Sequence, residues 1–474
     1  MKKMVGWLIA LCVCLNSVGV HAARVNSHGL AADRVYDVIV VGAGASGLQA
    51  ARVLQQHHRS VLVLEARGRI GGRVHTVSPW GVPLELGASW IHGVINNPLT
   101  PIARHLHMGL YPTVYNDNLP FRIFSSYRVF SASGQVYSAK AVSDLLRHLQ
   151  KLTRFAEALP RSDVSIQSML NQYLQHYPSE SNMRNQLYWG LRQLYSHEYA
   201  ADLSVLSYQS DSLPVTTPGE NVMLERGYTV MMRYLAQGLP ILLRHPVSTI
   251  QYGPNGVVVK TANHRVYRAR EVIVTLPLGV LKAKSVAFKP QLPQWKLHAI
   301  RALGMGHYEK TYLLFDHVFW DRTIETMALV PRPAARDSSV EFMNLFPLTK
   351  KPVLLAFSAG SDAVVHAAAS SSHKVERMMH LLRRMYGEGI PDPVAAVSTD
   401  WATDPYALGS YSYLPVGAAV GEIAALSRPV AGRVFFAGEA TTLNDTSTVH
   451  GAYASGDRAA RAALRHLVST YPAG

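Results

Sequence analysis

The residues best suited to chemistry begin with a glycine-rich turn that follows an apolar run. The turn consists of Gly42, Ala43, Gly44, Ala45, Ser46 and Gly47. Its glycines let the backbone approach a pyrophosphate, and the helix that follows offers unpaired N–H groups and a positive dipole end. Glu65 ends the next apolar run, where a carboxylate can accept both ribose hydroxyls and repel a 2′-phosphate. The pattern predicts binding of an adenine dinucleotide, either NAD or FAD.

A second glycine-containing segment, "EARGRIGGR", follows directly. Its glycine pair permits another close backbone approach, and Arg73 can pair with a pyrophosphate. NAD dehydrogenases do not need such a segment. Here the chain resembles the flavoproteins with a GGR motif, which include amine oxidases, amino-acid oxidases and carotenoid desaturases. The resemblance implies that FAD is held by Glu65, Ala66, Arg67, Gly72 and Arg73.

The resemblance narrows along the rest of the chain. "LGASWIHG", residues 272–320, "WATDPYALGSYSYLPVG" and residues 433–460 are similar to the polyamine oxidase and lysine-specific histone demethylase branch of the flavin-containing amine oxidases. The similarity runs from residue 36 almost to the C-terminus and is weaker from about 110 to 200. It implies an FAD-dependent amine oxidase.

The family resemblance assigns further residues to FAD. Lys310, in "GMGHYEK", would hold a water against flavin N5, where a buried cation favours the reduction of oxygen. Glu439 would accept from the ribityl chain, and Val247 would meet the adenine through its backbone. The remaining residues that the resemblance places against the cofactor are Gly87, Ala88, Ser89, Trp90, Trp401, Gly438, Thr448 and Val449.

Three residues are expected at the substrate. Tyr411 matches one wall of an aromatic cage, whose face attracts a cationic amine. Thr448 stands where monoamine oxidases carry a tyrosine, and its small side chain leaves room for long or secondary amines. His92 follows Trp90 by two residues, a position where polyamine oxidases place an acid or a histidine near the substrate nitrogen. A neutral imidazole there can accept a hydrogen bond from an amine.

The implied reaction passes a hydride from the amine to flavin N5, yields an aldehyde and a smaller amine, and reoxidises the flavin with oxygen to give hydrogen peroxide. Spermine or spermidine is the leading substrate class, and Glu198, Asp211 and Glu220 could form an acidic tunnel mouth. Alternatives are an oxidase of an aromatic monoamine or an L-amino acid, a secreted protein-lysine demethylase-like effector, and a flavoprotein without catalysis. An amino-acid oxidase needs an arginine clamp, and the sequence assigns none.

The elements that position these residues follow from hydrophobic patterning. Residues 36–41 and 60–64 are apolar strands flanking a helical pattern, a β-α-β unit. Residues from about 100 to 220 are mostly helical, and short strands return afterwards. We predict an α/β fold, with a Rossmann-type FAD-binding domain interleaved with an α+β substrate-binding domain. The FAD-binding domain would comprise 34–100, 221–285 and 401–474, and the substrate domain 101–220 and 286–400.

The bulk composition narrows the class of protein. The 474 residues are 48% hydrophobic with a net charge of +15, but no block of Lys or Arg indicates a nucleic-acid partner. Residues 1–22 read as a cleaved signal peptide, which predicts a periplasmic or secreted protein without a membrane anchor. The only cysteines, Cys12 and Cys14, lie inside it. The mature chain would have no disulfide, no cysteine-ligated metal and no cysteinyl-flavin link, so FAD should be non-covalent. No metal site is expected, and the oligomeric state is left unassigned.

Overall fold

The structure is a computed structural model that describes residues 34–114, 126–158, 163–208, 217–331 and 340–470. The predicted signal peptide, residues 1–22, lies outside the described residues, and so does Asp211.

An eight-stranded sheet carries the glycine-rich turn. In spatial order its strands are Ala287–Lys289, Val247–Gly253, Gly256–Thr261, Val266–Val274, Val35–Val41, Val61–Leu64 and Ile241–Leu242. The eighth strand, Val434–Phe436, pairs in parallel with the second half of Val266–Val274. The strands beside Val35–Val41 are parallel and largely buried, which explains their continuous apolar sequences. The glycine-rich turn begins directly after Val41, at the carboxyl end of the sheet.

Helices cover both faces of this sheet. One face packs against Ala45–Gln56, Thr229–Ala236 and Val449–Thr470, and the other against Leu278–Lys282, Gln294–Ala302 and Gly421–Ser427. Because successive side chains of a strand point to opposite faces, Val38 and Val40 enter the first core while Ile39 and Val41 enter the second. The central strand therefore holds both layers together.

A six-stranded, mainly antiparallel sheet is the second large sheet of the structure. Its order is Ala395–Ser398, Tyr308–Leu314, Val353–Ala359, Glu341–Asn344, Thr326–Leu329 and Tyr127–Phe130. The helices Ser361–Ala368 and Ser371–Tyr386 lie between the strands Val353–Ala359 and Ala395–Ser398 in sequence, and the second helix packs on the face that carries Leu313. The opposite face carries Tyr308 and Tyr312 and packs against Trp90 and Leu84. Alternation along the strand thus directs Lys310 toward this inner face.

The helical region predicted before residue 220 is present. Its α-helices are Ala139–Ala158, Ile166–His176, Arg184–Leu191 and His197–Tyr199, with a 3₁₀ segment at Pro178–Met183 and a π-helical turn at Arg192–Ser196. Leu149, Leu170 and Trp189 fill its core. Ser165 caps Ile166–His176, since its side chain accepts from the Ser168 N–H.

Small sheets connect the two large ones. Trp90–Ile91, Asn221–Leu224 and Leu110–Thr113 form one, and two-stranded pairs join Thr76–Val77 to Leu84–Glu85 and Gly304–Met305 to Ser412–Tyr413. The remaining short helical segments are Thr100–His105, Phe346–Thr349 and the 3₁₀ turn Glu439–Thr441. The small sheets carry the segments of His92 and Tyr411 toward the middle of the molecule.

This architecture matches the α/β fold expected from the sequence, with a Rossmann-type sheet interleaved along the chain with a second sheet and a helical region. The domain boundaries given above stay predictions. Within the described part of the chain, no helix combines the length and apolar character that crossing a bilayer requires.

Candidate active site

A continuous cavity of about 930 Å³ runs from the glycine-rich turn to the inner face of the six-stranded sheet. Every residue that the sequence assigns to FAD or to the amine beside the flavin lines it except Gly47. Gly47 instead packs inside the turn, because a Cβ there would lie 2.0 Å from the carbonyl oxygen of Gly42. Its role is therefore to let the turn close onto the helix.

The glycine-rich turn has the backbone that a dinucleotide needs. Gly42 has a φ of +107°, and a Cβ on it would lie 2.5 Å from Thr275 Oγ1. Gly44 precedes the helix Ala45–Gln56, and no side chain caps that helix end. The first N–H groups of the helix are therefore left for a ligand.

Glu65 is placed to read a ribose. Its carboxylate accepts from the backbone N–H of Ala43 at 2.7 Å and of Arg67 at 2.8 Å. Burial raises the pKa of Glu65, although these two hydrogen bonds and the nearby arginines oppose the rise. The second glycine segment lies against the first, with Gly71 bridged to Gly44. The donor set and the two close backbone approaches fit an adenine dinucleotide.

Two arginines of the cavity are held by carboxylates. Arg67 makes a two-bond contact with Asp404, at 2.7 Å for each nitrogen–oxygen pair. Arg73 Nη1 donates to Glu439 at 2.8 Å and to the carbonyl oxygen of Ser410 at 2.8 Å. Both guanidinium groups line the cavity with their positions already fixed.

Glu439 has a second task beside its contact with Arg73. Its other oxygen accepts from Ser412 Oγ at 2.6 Å. Gly438, with a φ of +125°, donates its N–H to Ser455 Oγ at 2.8 Å. This corner joins the last strand of the large sheet to its last helix.

The last helix also presents its N-terminus to the cavity. Thr448 Oγ1 donates to the carbonyl oxygen of Asp445 at 2.7 Å and accepts from the Gly451 N–H at 3.0 Å. Thr448 therefore caps the helix that Val449 opens, and both residues line the cavity.

Trp401 and Val247 mark two other parts of the wall. The Trp401 indole donates to the carbonyl oxygen of Leu86 at 2.7 Å, and a Cβ on Gly87 would lie 3.4 Å from the same ring. The segment Gly87, Ala88, Ser89 and Trp90 thus runs beside Trp401. Val247 lies at the irregular start of its strand, where the pairing register shifts.

Lys310 is a buried lysine where the cavity meets the inner face of the six-stranded sheet. The residue is 5% exposed. Its Nζ donates to the carbonyl oxygen of Gly87 at 2.5 Å, to Ser89 Oγ at 2.6 Å and to the carbonyl oxygen of Glu85 at 3.0 Å. Burial lowers the pKa of Lys310 and raises the pKa of the neighbouring buried Glu85 carboxyl.

Aromatic rings surround the space above Lys310. Tyr308 and Tyr411 lie with ring centroids 6.2 Å apart, and Trp90 also lines the cavity. The Tyr411 hydroxyl donates to the carbonyl oxygen of His197 at 3.0 Å. These rings form a cage that suits a cationic or neutral amine.

His92 lies in the cavity wall next to this cage. Its ring centroid is 6.2 Å from that of Trp90. Burial, followed by the proximity of His450, lowers the pKa of His92 to about 4, although a hydrogen bond with Asn221 and the charge of Asp445 oppose the shift. The imidazole is therefore neutral near pH 7 and can accept a hydrogen bond.

The three acidic residues expected at a tunnel mouth differ in where the structure places them. Glu198 lines the cavity, and its charge adds to burial in raising the pKa of Tyr411. Glu220 is exposed and is not among the residues that line the cavity, so its position at a tunnel mouth stays a prediction. Asp211 lies outside the described residues.

Several residues that line the cavity were not predicted from the sequence. Tyr308 shares a strand face with Lys310 at a spacing of two, a signal that could have identified it. His197 precedes Glu198 but carries no motif of its own. Asp445 and His450 flank the Thr448 cap, with His450 Nε2 3.1 Å from Asp445 Oδ1. The sequence alone does not show which pairs of acidic residues and histidines face the cavity, because this depends on the fold.

Comparisons with known proteins agree with this geometry. The model of the family "flavin containing amine oxidoreductase" matches residues 45–464. A polyamine oxidase 4 of Oryza sativa subsp. japonica is 36% identical over 433 residues, which cover 89% of this chain and 87% of the relative. A lysine-specific histone demethylase 1 homolog 2 of Arabidopsis thaliana is 35% identical over 89% of this chain, but over only 58% of its own length.

The fold also matches a solved structure. Cyclohexylamine oxidase from Brevibacterium oxydans IH-35A superposes with a TM-score of 0.72 over 92% of this chain and 100% of that chain, at 22% identity. This likeness confirms the expected fold class. The chain belongs to the flavin-containing amine oxidase family, in the branch of the polyamine oxidases and lysine-specific histone demethylases, and it is a flavin amine oxidase with FAD as its cofactor.

Proposed function

We propose that this amine oxidase acts on polyamines of the spermine and spermidine class. The observation that carries the proposal is the wall of the cavity beyond Lys310, where the cage of Tyr308 and Tyr411 lies beside the carboxylate of Glu198. A polyamine carries several amino groups along one chain. One can enter the cage while another, as an ammonium, meets the acid. Relatives named polyamine oxidase, at 36% and 34% identity, support this assignment.

Separate groups of residues would bind the cofactor and orient the substrate. FAD, when bound, supplies the two-electron oxidation of the carbon–nitrogen bond. Gly42, Gly44 and Glu65 would hold its adenosine and pyrophosphate portion. Thr448 and Val449 would hold the far end of the flavin ring at the last helix N-terminus.

The substrate nitrogen is oriented by His92. Because its pKa is lowered to about 4, its imidazole does not repel an amine by charge near pH 7. It accepts a hydrogen bond from the substrate N–H and leaves the nitrogen lone pair free for oxidation. Lys310 also lines this cavity, and its Nζ lies beside Gly87 and Ser89.

An amino-acid substrate fits less well. Its carboxylate would need a guanidinium near the cage. Among the described residues that line the cavity, the arginines are Arg67 and Arg73, and these pair with Asp404 and Glu439. We therefore expect L-amino acids to be poor substrates.

The test is a substrate panel with purified protein loaded with FAD. Spermine, spermidine, N-acetylated polyamines, tyramine, L-amino acids and a methyl-lysine peptide are compared by loss of oxidised-flavin absorbance without oxygen and by peroxide release with oxygen. We expect the polyamines to have the highest kcat/KM. A higher kcat/KM for tyramine or for the peptide would overturn the polyamine assignment while leaving the amine oxidase family intact.

The role of His92 is tested in the same assay. His92→Leu fills similar space but cannot accept a hydrogen bond, and we expect kcat/KM to fall by about tenfold, the equivalent of one lost hydrogen bond. His92→Asn keeps an acceptor and should lose less. Equal losses in the two variants would argue against hydrogen-bond acceptance by His92.

We further propose that FAD is held without a covalent bond. The only cysteines are Cys12 and Cys14, which are far from the glycine-rich turn and the other cavity residues in sequence. Denaturation followed by filtration should release the flavin into the filtrate. Flavin retained with the denatured chain would contradict this.

A further inference from the structure

His197 occupies an unusual point of the backbone. It follows the π-helical turn Arg192–Ser196 and begins the short helix His197–Tyr199, and it lines the cavity. A π-helical turn shifts the side chains that follow it relative to a regular helix, and such turns are frequent at functional sites. The turn brings both the carbonyl and the imidazole of His197 to the aromatic cage.

His197 contacts the two tyrosines of the cage in two ways. Its carbonyl oxygen accepts from the Tyr411 hydroxyl at 3.0 Å. Its Nδ1 lies 3.4 Å from the Tyr308 hydroxyl, and the His197 and Tyr308 rings meet edge to face with centroids 5.8 Å apart. His197 therefore contacts the hydroxyl groups of both tyrosines.

Glu341 contacts the same ring nitrogen of His197 at a shorter distance. Its Oε1 lies 3.0 Å from His197 Nδ1, with the two side chains 1% and 3% exposed. Its Oε2 accepts from the Tyr127 hydroxyl at 2.5 Å and, with the Gln193 amide in the orientation that satisfies both of its neighbours, from Gln193 at 2.7 Å. A buried carboxylate with these partners is a rigid anchor, because releasing any of them would leave a buried polar group unpaired.

We infer that His197 is a positioning residue for amine recognition, which Glu341 holds in place so that Tyr308 and Tyr411 present their faces to the substrate nitrogen. The attraction between a cation and a ring depends on the cation lying over the ring face. A tyrosine free to rotate would lose part of that attraction. The inference rests on the proposed function only in taking an amine cation as the ligand of the cage.

The test uses benzyltrimethylammonium as a probe of the cage. Its quaternary nitrogen has no lone pair, so the probe binds without being oxidised. Binding to the FAD-loaded protein is followed by the change in flavin absorbance. We expect His197→Ala to weaken the affinity by about fivefold to tenfold, as loss of one oriented cation–π contact implies. With an amine that the enzyme oxidises, the same variant should raise KM more than it lowers kcat.

Two further variants and one control sharpen the result. His197→Asn keeps a donor toward Glu341 and should recover most of the affinity. Tyr308→Phe keeps the ring but removes the hydroxyl, and it should lose as much affinity as His197→Ala. The control is His466→Ala, because His466 pairs with the fully buried Glu271 at 2.6 Å but does not line the cavity. It should bind the probe as the wild type does.

The outcomes separate this inference from the polyamine proposal. If the wild type oxidises no polyamine but binds the probe, the substrate assignment fails and the variants still test His197. Wild-type affinity in Tyr308→Phe would overturn the inference, even if His197→Ala failed to fold. So would a wild type that does not bind the probe at all.

Discussion

Two buried lysines show that burial alone does not mark a functional cation. Lys296 is fully buried, and its Nζ donates to the carbonyl oxygens of Ala425, Leu426 and Arg428 at 2.9, 2.6 and 2.5 Å. Those carbonyls belong to the end of the helix Gly421–Ser427, so this lysine caps a helix. Lys310 has three acceptors as well, but Lys310 and two of its acceptor residues, Gly87 and Ser89, line the cavity.

Lys310→Met should slow the oxygen reaction of the reduced enzyme by about a hundredfold, the cost of removing one preorganised donor from a dry site. Burial lowers the pKa of Lys310, so its positive charge is lost at a lower pH than an ordinary lysine would lose it. The wild-type rate should therefore fall as pH rises through that lowered pKa, and the variant rate should not. The rate is measured by mixing anaerobically reduced enzyme with oxygen.

Lys296→Met is the matched control, since it removes the same group from an equally buried site outside the cavity lining. It should lower the thermal midpoint and leave the oxygen rate of the folded enzyme unchanged. If Lys310→Met reacted with oxygen at the wild-type rate, the proposed role of its charge would be wrong.

At the scale of elements, the loop from Trp401 to Gly409 contributes Trp401, Pro405 and Tyr406 to the cavity wall. Its base is closed by the Gly409 N–H, which donates to the Trp401 carbonyl at 2.9 Å. Buried Glu309 accepts from the Ala402 N–H at 2.8 Å, and burial raises the pKa of Glu309 to about 7. The tip is tied to Arg67 through Asp404. The loop therefore spans the cofactor side of the cavity and is fastened at both ends.

Asp404→Asn should release FAD about tenfold faster than the wild type, because losing a two-bond Arg–carboxylate contact of ~1.4 kcal/mol unfastens the loop tip. The release is followed as rising fluorescence of free FAD after dilution. The variant keeps the size of the side chain, so packing in the loop is preserved.

Asp321→Asn is the corresponding control. Asp321 pairs with Arg128 at the same 2.7 Å distance, and neither residue lines the cavity. FAD release should be unchanged in it. Equal release rates for Asp404→Asn and the wild type would show that the loop tip does not retain the cofactor.

The elements also show which parts of the fold and the site could be predicted from the sequence. The turn from Gly42 to Gly47 is a local signal, so the strand before it was predicted to within one residue of its observed bounds, Val35–Val41. The helix after it was predicted only as a pattern, and it begins at Ala45, inside the predicted turn. The contact of His197 with Glu341 depends on a pairing between a helical region and a sheet strand far away in the chain. No local periodicity encodes such a pairing, because each residue alone reads as an ordinary surface or core position. For the same reason the exposed Glu220 could not be told from the cavity-lining Glu198.

At the scale of the whole molecule, a pair of one buried and one partly exposed side chain links the last helix to the large sheet. Glu271 on the strand Val266–Val274 is fully buried, and its Oε1 lies 2.6 Å from His466 Nδ1. Burial raises the pKa of Glu271 to about 8 and lowers the pKa of His466. The pair is therefore neutral near pH 7, with the proton on the carboxyl group donated to the imidazole.

The folded chain thus keeps a proton on Glu271 that the unfolded chain loses near the ordinary value of 4.5. The stability from this group is full below that value and is lost as pH rises through about 8. Glu271→Gln donates to His466 without titrating. Its stability relative to the wild type should therefore increase from about pH 5 to about pH 9, as measured by denaturant unfolding.

An ionised pair would give the reverse result. If Glu271 carried a negative charge against a protonated His466, Glu271→Gln would be most destabilised near neutral pH. A pH-independent difference between the two proteins would contradict the raised pKa of Glu271.

The contact between the first and last helices has a consequence for biosynthesis. Ser46 Oγ lies 3.2 Å from Ser455 Oγ across 409 residues of chain, and a Cβ on Gly456 would lie 2.1 Å from the Ser46 carbonyl oxygen. The glycine-rich turn therefore leaves the ribosome 409 residues before the part of the helix that packs against it. Until that helix has been synthesised, the nascent chain lacks one wall of the cofactor pocket.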